Sequence, residues 1–227
     1  MQMASRPSPP SSLKRLAALA ALVIPAWSFA VPVTDAAGDF LPSFVANGGN
    51  AAGSAHLDVV SANVLYNIST KVFTLIATMN GAIDASSLGD YVWGVDRGAG
   101  AVNPAFASLL GVDQVRFDRT VVLSTTGTGT VASNSLAADA VTISGSTITA
   151  NVALDLLPST GFDPLQYTWN IWPRAVATAT LTGVNRITNF APDNQNFAVT
   201  EIPEPNSAAL MLAAGGALLV ATRRRKR

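Results

Sequence analysis

Apolar and polar residues alternate along much of this chain, and a spacing of two is the strongest constraint on its fold. One alternating run covers residues 60–66, and a second covers residues 73–79 after a turn at residues 67–71. A β-strand points successive side chains to opposite faces, so this pattern is typical of strands with one buried face. We expect these two runs to pair as antiparallel strands.

Several other short segments have the composition of strands. Gly145 and Ser146 separate two of them and are typical of a two-residue type II′ hairpin turn. Residues 154–157 indicate a single helical turn. Eight or so short strands with few helical periods predict an all-β fold, an antiparallel β-sandwich of jelly-roll or immunoglobulin-like type. The further strand segments are residues 91–96, 115–123, 141–143, 148–152 and 167–172, with weaker ones at 175–181 and 196–200.

The N-terminal residues 1–30 have the features of a secretory signal peptide. Basic residues precede an apolar stretch from Leu16 to Ile24, and Ser28 and Ala30 provide small residues before a cleavage point. We therefore expect a signal helix that signal peptidase removes between Ala30 and Val31, which indicates an exported protein.

The last 25 residues form a second distinctive segment. Pro203-Glu204-Pro205 is followed by an uncharged apolar run, 207–222, and by four arginines and a lysine. As a helix these 16 residues would span about 24 Å, somewhat short of a hydrocarbon core of about 30 Å. The basic residues can reach the headgroups, and so we expect a C-terminal transmembrane-type helix in the membrane-anchored precursor.

The order of these three parts resembles the PEP-CTERM sorting signal of Gram-negative bacteria. The resemblance implies recognition and cleavage by the membrane transpeptidase exosortase, after a transient stay in the inner membrane. It further implies a final location at the cell surface, in the outer envelope or in the extracellular matrix, and a link to exopolysaccharide and biofilm. Extracellular polysaccharide is then a candidate partner. The sorting residues would be Pro203, Glu204, Pro205, Arg223, Arg224 and Arg225.

These ends define the domain organisation. We expect a signal peptide at 1–30, a β-sandwich domain at 31–182, a last strand with a linker or stalk at 183–202, and the sorting signal at 203–227.

Between Val31 and Pro205 there are six basic and 14 acidic residues, a net charge of −8. Such an acidic domain argues against nucleic acid as a partner. The chain has no cysteine, so no disulfide can stabilise it.

No set of catalytic residues is apparent. His56 is the only histidine, and neither a Gly-x-Ser-x-Gly motif nor a phosphate-binding loop is present. We therefore predict that the protein is not an enzyme. A remote alternative is a glycan hydrolase that uses paired aspartates, Asp90 with Asp96 or Asp113 with Asp118.

Three aspartates are candidates for a calcium site. Asp35 and Asp39 flank a turn with Gly38, and Asp58 opens the first strong strand. Calcium takes six to eight oxygen ligands, and this set could begin such a shell. The pattern resembles the N-terminal stretch of DOMON-like and carbohydrate-binding sandwiches, in which such residues bind calcium. Solvated turn aspartates are the competing interpretation.

Aromatic residues form a second candidate site. Tyr91 and Trp93 share one face of a strand, as do Tyr167 and Trp169, and apolar neighbours favour a core position for both tryptophans. Trp172 lies on the opposite face beside Pro173, and we expect it to be exposed and able to stack on a sugar ring.

The sequence thus predicts an exported, exosortase-processed β-sandwich with a structural or adhesive role at the cell surface or in the extracellular matrix. The alternative is a calcium-dependent carbohydrate-binding module.

Overall fold

The computed structural model describes residues 31–84 and 86–202. The predicted signal peptide with Ala30, and the predicted sorting signal with its prolines and arginines, lie outside these residues. Within the described residues no helix is both long and apolar enough to cross a bilayer.

The described chain is mainly β-structure. One short helix, α1, covers Pro42–Ala46, and a π-helix covers Phe106–Leu110. The other helical segments of the described residues are 3₁₀ segments of three or four residues, one of which is the predicted turn at Leu154–Leu156. The strands are β1 (Val33–Thr34), β2 (Val59–Asn67), β3 (Val72–Met79), β4 (Asp90–Asp96), β5 (Ala101–Val102), β6 (Arg116–Phe117), β7 (Arg119–Ser124), β8 (Gly129–Val131), β9 (Asn134–Ser135), β10 (Val141–Ser144), β11 (Thr147–Ala153), β12 (Thr168–Arg174), β13 (Phe197–Ala198) and β14 (Thr200–Glu201).

The first sheet has the strand order β1-β2-β3-β11-β10, with β14 added parallel to β2. The predicted pairing of the two alternating runs is confirmed, since β2 and β3 are antiparallel neighbours. The predicted hairpin is also present: Ser144 faces Thr147, and Gly145 at φ +59° makes the turn. Ser146 is not among the residues with positive φ, which fits a type II′ turn rather than type I′.

The second sheet has the order β13-β12-β4-β7-β8-β9. The chain bends at Asp118, which divides the predicted strand 115–123 into β6 and β7. Strand β12 continues through Pro173, where we expected it to end. Proline has no N–H to donate, but the Pro173 carbonyl accepts a hydrogen bond from the Thr188 backbone N–H at 3.1 Å.

The main core lies between the two sheets and contains the inward side chains of both. Trp93 and Trp169 are fully buried there, as predicted, and Phe73 packs against Trp169 with ring centroids 5.6 Å apart. The alternation seen in the sequence is therefore the alternation of core and outer residues, and the described chain is an all-β sandwich with antiparallel sheets.

A second apolar cluster covers the outer face of the second sheet, and it corrects the prediction for Trp172. This side chain is only 3% exposed and packs against Phe106, Phe117 and Phe190, with ring centroids 5.0–5.8 Å apart. Its ring also covers Gly94, where a Cβ would lie 2.4 Å from the indole. Trp172 therefore has no face available for stacking on a sugar.

The segment 183–202 contains the predicted last strand, as β13 and β14, but its other residues pack in the domain where we expect a linker or stalk. Residues 187–191 are all buried, and Phe190 belongs to the second cluster. The segment then contributes β13 to one sheet and β14 to the other. The weak strand predicted at 175–181 is absent, since these residues form no strand.

Candidate metal centre

Four aspartates from distant parts of the sequence meet at one end of the sandwich. Asp35 and Asp39 lie on the loop between β1 and α1, and Asp193 follows the buried stretch 187–191. Carboxylate oxygens of these three residues lie within 4.8 Å of one another. Asp58, directly before β2, is close enough to raise the pKa of both Asp35 and Asp39. The three aspartates predicted from the sequence thus gather here, and Asp193 joins them.

The turn at Gly38 fixes the positions of the first two aspartates. Gly38 has φ +82°, a conformation that glycine adopts at little cost. Its backbone N–H donates to Asp58 Oδ2 at 2.7 Å, and the Asp35 N–H donates to the Val60 carbonyl at 3.0 Å. The loop is therefore tied to the start of β2, and this aligns its carboxylates with Asp58.

Asp58 has one carboxylate oxygen without a hydrogen-bond partner among residues 31–84 and 86–202. The residue is fully buried, and its Oδ2 accepts from Gly38 and from Asn80 Nδ2 at 2.9 Å. Its Oδ1 is buried and has no hydrogen-bond partner in the described chain. A buried, unpaired carboxylate oxygen is costly, and a cation would remove that cost.

Asn189 supplies a second unpaired oxygen at the same place. The residue is 1% exposed, and its Nδ2 lies 3.3 Å from Asp35 Oδ2, 3.5 Å from Asp39 Oδ1 and 3.5 Å from the Val59 carbonyl. All three distances are longer than a typical N–H···O bond. Its Oδ1 is buried without a partner in the described residues. A half-turn of the amide would exchange the two atoms and direct Oδ1 at the carboxylates, which is favourable only if a cation lies between them.

The electrostatics of this cluster also favour a cation. Burial raises the pKa of Asp35 to about 7, and repulsion from Asp39, Asp193 and Asp58 adds to the effect. Burial likewise raises the pKa of Asp39, although the hydrogen bond from Asn189 partly opposes it. The ion pairs of the described chain involve Asp90 and Asp118, and none of the four clustered carboxylates.

The donor set suits calcium better than a transition metal. It contains only oxygen ligands: the three clustered carboxylates of Asp35, Asp39 and Asp193, with the Asp58 carboxylate, the Asn189 amide and the Val59 carbonyl beside them. Calcium accepts six to eight such oxygens in flexible geometry, whereas zinc is usually bound by nitrogen and sulfur as well. The residues come from three separate segments, so a bound ion would join the first loop of the domain to one of its last.

The other predicted site residues lie elsewhere. Val31, at the predicted cleavage point, is 86% exposed. The carboxylates considered for hydrolysis serve the fold: Asp90 pairs with Arg174, Asp118 pairs with Arg97, and Asp96 accepts the N–H groups of two nearby glycines. Asp113 accepts a hydrogen bond from Asn194. Each of these four carboxylates thus makes at least one hydrogen bond or ion pair with another described residue.

Asn189 and Asp193 were missed because their segment has the composition of a linker. Nothing in the local spacing of residues 183–202 indicates burial, and only the tertiary structure brings them to Asp35. Comparison with protein-family profiles, with curated proteins and with solved structures found no match for this chain.

Proposed function

We propose that this protein is an exported, calcium-binding β-sandwich with a structural or adhesive role at the cell surface or in the extracellular matrix. The observation that supports calcium is the cluster of Asp35, Asp39 and Asp193 carboxylates. Two buried oxygens without a hydrogen-bond partner in the described residues, Asp58 Oδ1 and Asn189 Oδ1, lie beside that cluster. The ion would act as a cross-link in a domain that has no cysteine. Because the ion would bind only the folded chain, its binding free energy would add to the stability of the native state. It would hold together Asp35 and Asn189, which are 154 positions apart in the sequence.

The proposed location follows from the two ends of the sequence. A signal peptide that signal peptidase cuts after Ala30, and the Pro203-Glu204-Pro205 signal with its apolar helix and arginines, support export, a membrane-anchored precursor and processing by exosortase. The proposed link to exopolysaccharide and biofilm also comes from that resemblance, and so does a Gram-negative source. A sandwich of jelly-roll or immunoglobulin-like type would suit such a role, because it presents large sheet faces and needs no catalytic cleft.

Calcium affinity in this setting need only be modest. Extracellular calcium modules commonly bind in the range of about 10⁻⁴ to 10⁻³ M. A cation then completes the domain after export, where calcium is abundant. The second candidate function is a calcium-dependent carbohydrate-binding module, which the same metal centre would support.

The deciding experiment is thermal unfolding of the purified protein in EDTA, in calcium and in magnesium. At a calcium concentration about 100-fold above the dissociation constant, binding raises the free energy of unfolding by about 2.7 kcal/mol. For a domain of this size that corresponds to a rise in Tm of about 5–10 °C. We expect magnesium to give a smaller rise, because it prefers a tighter octahedral shell and keeps its water.

A matched pair of variants assigns the effect to this site. Asp39→Asn removes one ligand charge and should abolish most of the rise in Tm. Asp139→Asn makes the same change at an exposed position outside the cluster and should leave the rise intact. An identical Tm in EDTA and in calcium would refute the proposal, as would a full calcium response in Asp39→Asn.

A further inference from the structure

The outer faces of the two sheets differ sharply. The second cluster, with Phe106, Trp172 and Phe190, covers the outer face of the second sheet. Among the residues that the structure describes, no such layer covers the outer face of the first sheet, and the outward side chains of β3 and β11 are half-buried or exposed. We call this surface the neutral face. Its centre is formed by three cross-strand pairs: Thr78 with Thr147, Ile76 with Thr149, and Thr74 with Asn151.

The neutral face has no charged side chain. None of the residues of β1, β2, β3, β10 and β11 is charged, and Glu201 on the short edge strand β14 is the one charge in the sheet. The strands of the second sheet, by contrast, contain Asp90, Asp96, Arg119 and Arg174. The domain as a whole is strongly acidic, so a broad uncharged face is not explained by its composition.

The polar groups of the neutral face are held in a regular array. The hydroxyls of Thr78 and Thr147 lie 3.1 Å apart, and the Thr74 hydroxyl donates to Asn151 Oδ1 at 2.9 Å. Neighbouring strands are about 4.8 Å apart, and outward residues recur about every 6.8 Å along each strand. The side chains are thus fixed in advance, while Asn151 Nδ2 and the hydroxyl lone pairs can still bond to a partner.

These properties restrict the kind of partner. Nucleic acid and anionic lipid both require clustered Lys or Arg, which this face lacks. A second copy of the chain is also disfavoured. The strand spacings give the face an area of about 400 Å², roughly half of what each partner buries in a stable protein interface. Threonine and serine are also not the residues that dominate the centres of such interfaces.

We infer that the neutral face binds a neutral polysaccharide. The hydroxyls of an uncharged glycan are both donors and acceptors, as are those of Thr78, Thr147 and Thr149, and Ile76 offers an apolar contact for the C–H groups of a sugar ring. This inference rests on the proposed adhesive role and gives that role a partner. It does not involve the metal centre, nor the aromatic stacking that the burial of Trp172 excludes.

Affinity electrophoresis tests the inference with the whole protein in calcium-containing native gels. The gels contain hydroxyethyl cellulose or dextran as neutral glycans, or alginate as an anionic glycan. We expect retardation by at least one neutral glycan and none by alginate. Asn151→Asp replaces the Nδ2 donor with a charged oxygen and keeps the acceptor for Thr74. The loss of the donor and the new charge should weaken the apparent affinity for a neutral glycan about tenfold. Thr149→Val removes a hydroxyl without changing the shape and should act in the same direction.

Asn134→Asp is the matched control, because Asn134 is an exposed residue of β9 in the other sheet. It should retain the retardation of the unmodified protein, and circular dichroism should show all three variants folded. The inference is overturned if neither neutral glycan retards the protein, if alginate alone does so, or if Asn134→Asp and Asn151→Asp behave alike. Loss of glycan binding with an intact calcium effect on Tm would refute this inference and leave the proposed calcium site standing.

Discussion

Asn189 Nδ2 lies 3.3 Å from Asp35 Oδ2, although 154 positions separate the two residues in the chain. This contact joins the first loop of the domain to a segment close to its end. The Asn189 amide has its oxygen buried without a partner, while its nitrogen makes three long contacts. Both features are explained if the group is a calcium ligand in the metal-bound protein.

The first prediction concerns Asn189→Asp. In EDTA the new carboxylate would be buried beside Asp35 and Asp39, and we expect it to destabilise the protein by about 1–3 kcal/mol. In calcium it would add a charged ligand, which strengthens binding. The difference in Tm between EDTA and calcium should therefore be larger than in the unmodified protein.

Calorimetry of the variant in both buffers provides the measurement. Asn134→Asp serves as the control, because it adds the same charge at an exposed position and should leave the difference unchanged. If Asn189→Asp were destabilised equally in EDTA and in calcium, Asn189 would not be a ligand.

The second prediction concerns pH. Because the pKa of Asp35 is raised to about 7 in the folded protein from the ordinary 3.8, the native state binds more protons than the unfolded state between these two values. Stability in EDTA should therefore rise as the pH falls from about 8 towards 4. Asp39 acts in the same direction, since its pKa is also raised.

Calcium should reverse this trend, because protons and calcium compete for the same carboxylates. The rise in Tm caused by calcium is expected to shrink steadily between pH 8 and pH 5. Asp35→Asn should flatten the pH dependence in EDTA, whereas the exposed Asp139→Asn should not. A calcium effect that stayed constant across this range would argue against carboxylate ligation.

The strands and the main core were largely predictable from the sequence. The alternation in β2 and β3, the Gly145 turn and the burial of Trp93 and Trp169 all depend on local periodicity, which a single sequence displays. Trp172 was wrongly assigned because the second sheet is buried on both faces. The residues that cover it, such as Phe106 and Phe190, come from irregular segments with no period to recognise.

The metal centre was predictable only in part, for a related reason. Asp35, Asp39 and Asp58 stand out because a glycine turn and a strand start place them near one another in sequence. Asn189 and Asp193 reach them only through tertiary packing. One of the contacts that hold that segment, the hydrogen bond from Thr188 Oγ1 to the Leu57 carbonyl at 2.6 Å, links residues 131 positions apart. Such contacts leave no pattern in a short window of sequence.

The third prediction addresses the second cluster. Trp172→Ala removes the side chain that Phe106 contacts edge-on at a centroid distance of 5.3 Å. We expect the substitution to lower the free energy of unfolding by about 3–5 kcal/mol. Urea unfolding measures the loss, with the exposed Val176→Ala as the control. A cost below about 1 kcal/mol would mean that Trp172 is not in a packed core.

The last prediction compares two ion pairs that differ in burial. Arg97 Nε donates to Asp118 Oδ1 at 2.8 Å, and the two side chains are 3% and 11% exposed. The Thr160 hydroxyl also donates to Asp118. Replacing Asp118 with Asn would leave the buried guanidinium without its counter-charge, and we expect a loss of about 3–5 kcal/mol.

Asp90→Asn provides the comparison. Asp90 and Arg174 are 3.2 Å apart and each 31% exposed, so water can solvate both charges. That change should cost about 1 kcal/mol or less in urea unfolding at neutral pH. If the two substitutions lowered the free energy of unfolding equally, burial would not determine how much the Arg97–Asp118 pair stabilises the fold. A much larger loss for Asp118→Asn would mean that the pair holds the loop after β4 against the segment at residues 158–162, where the Arg97 Nη1 group donates to the Pro158 carbonyl at 2.7 Å.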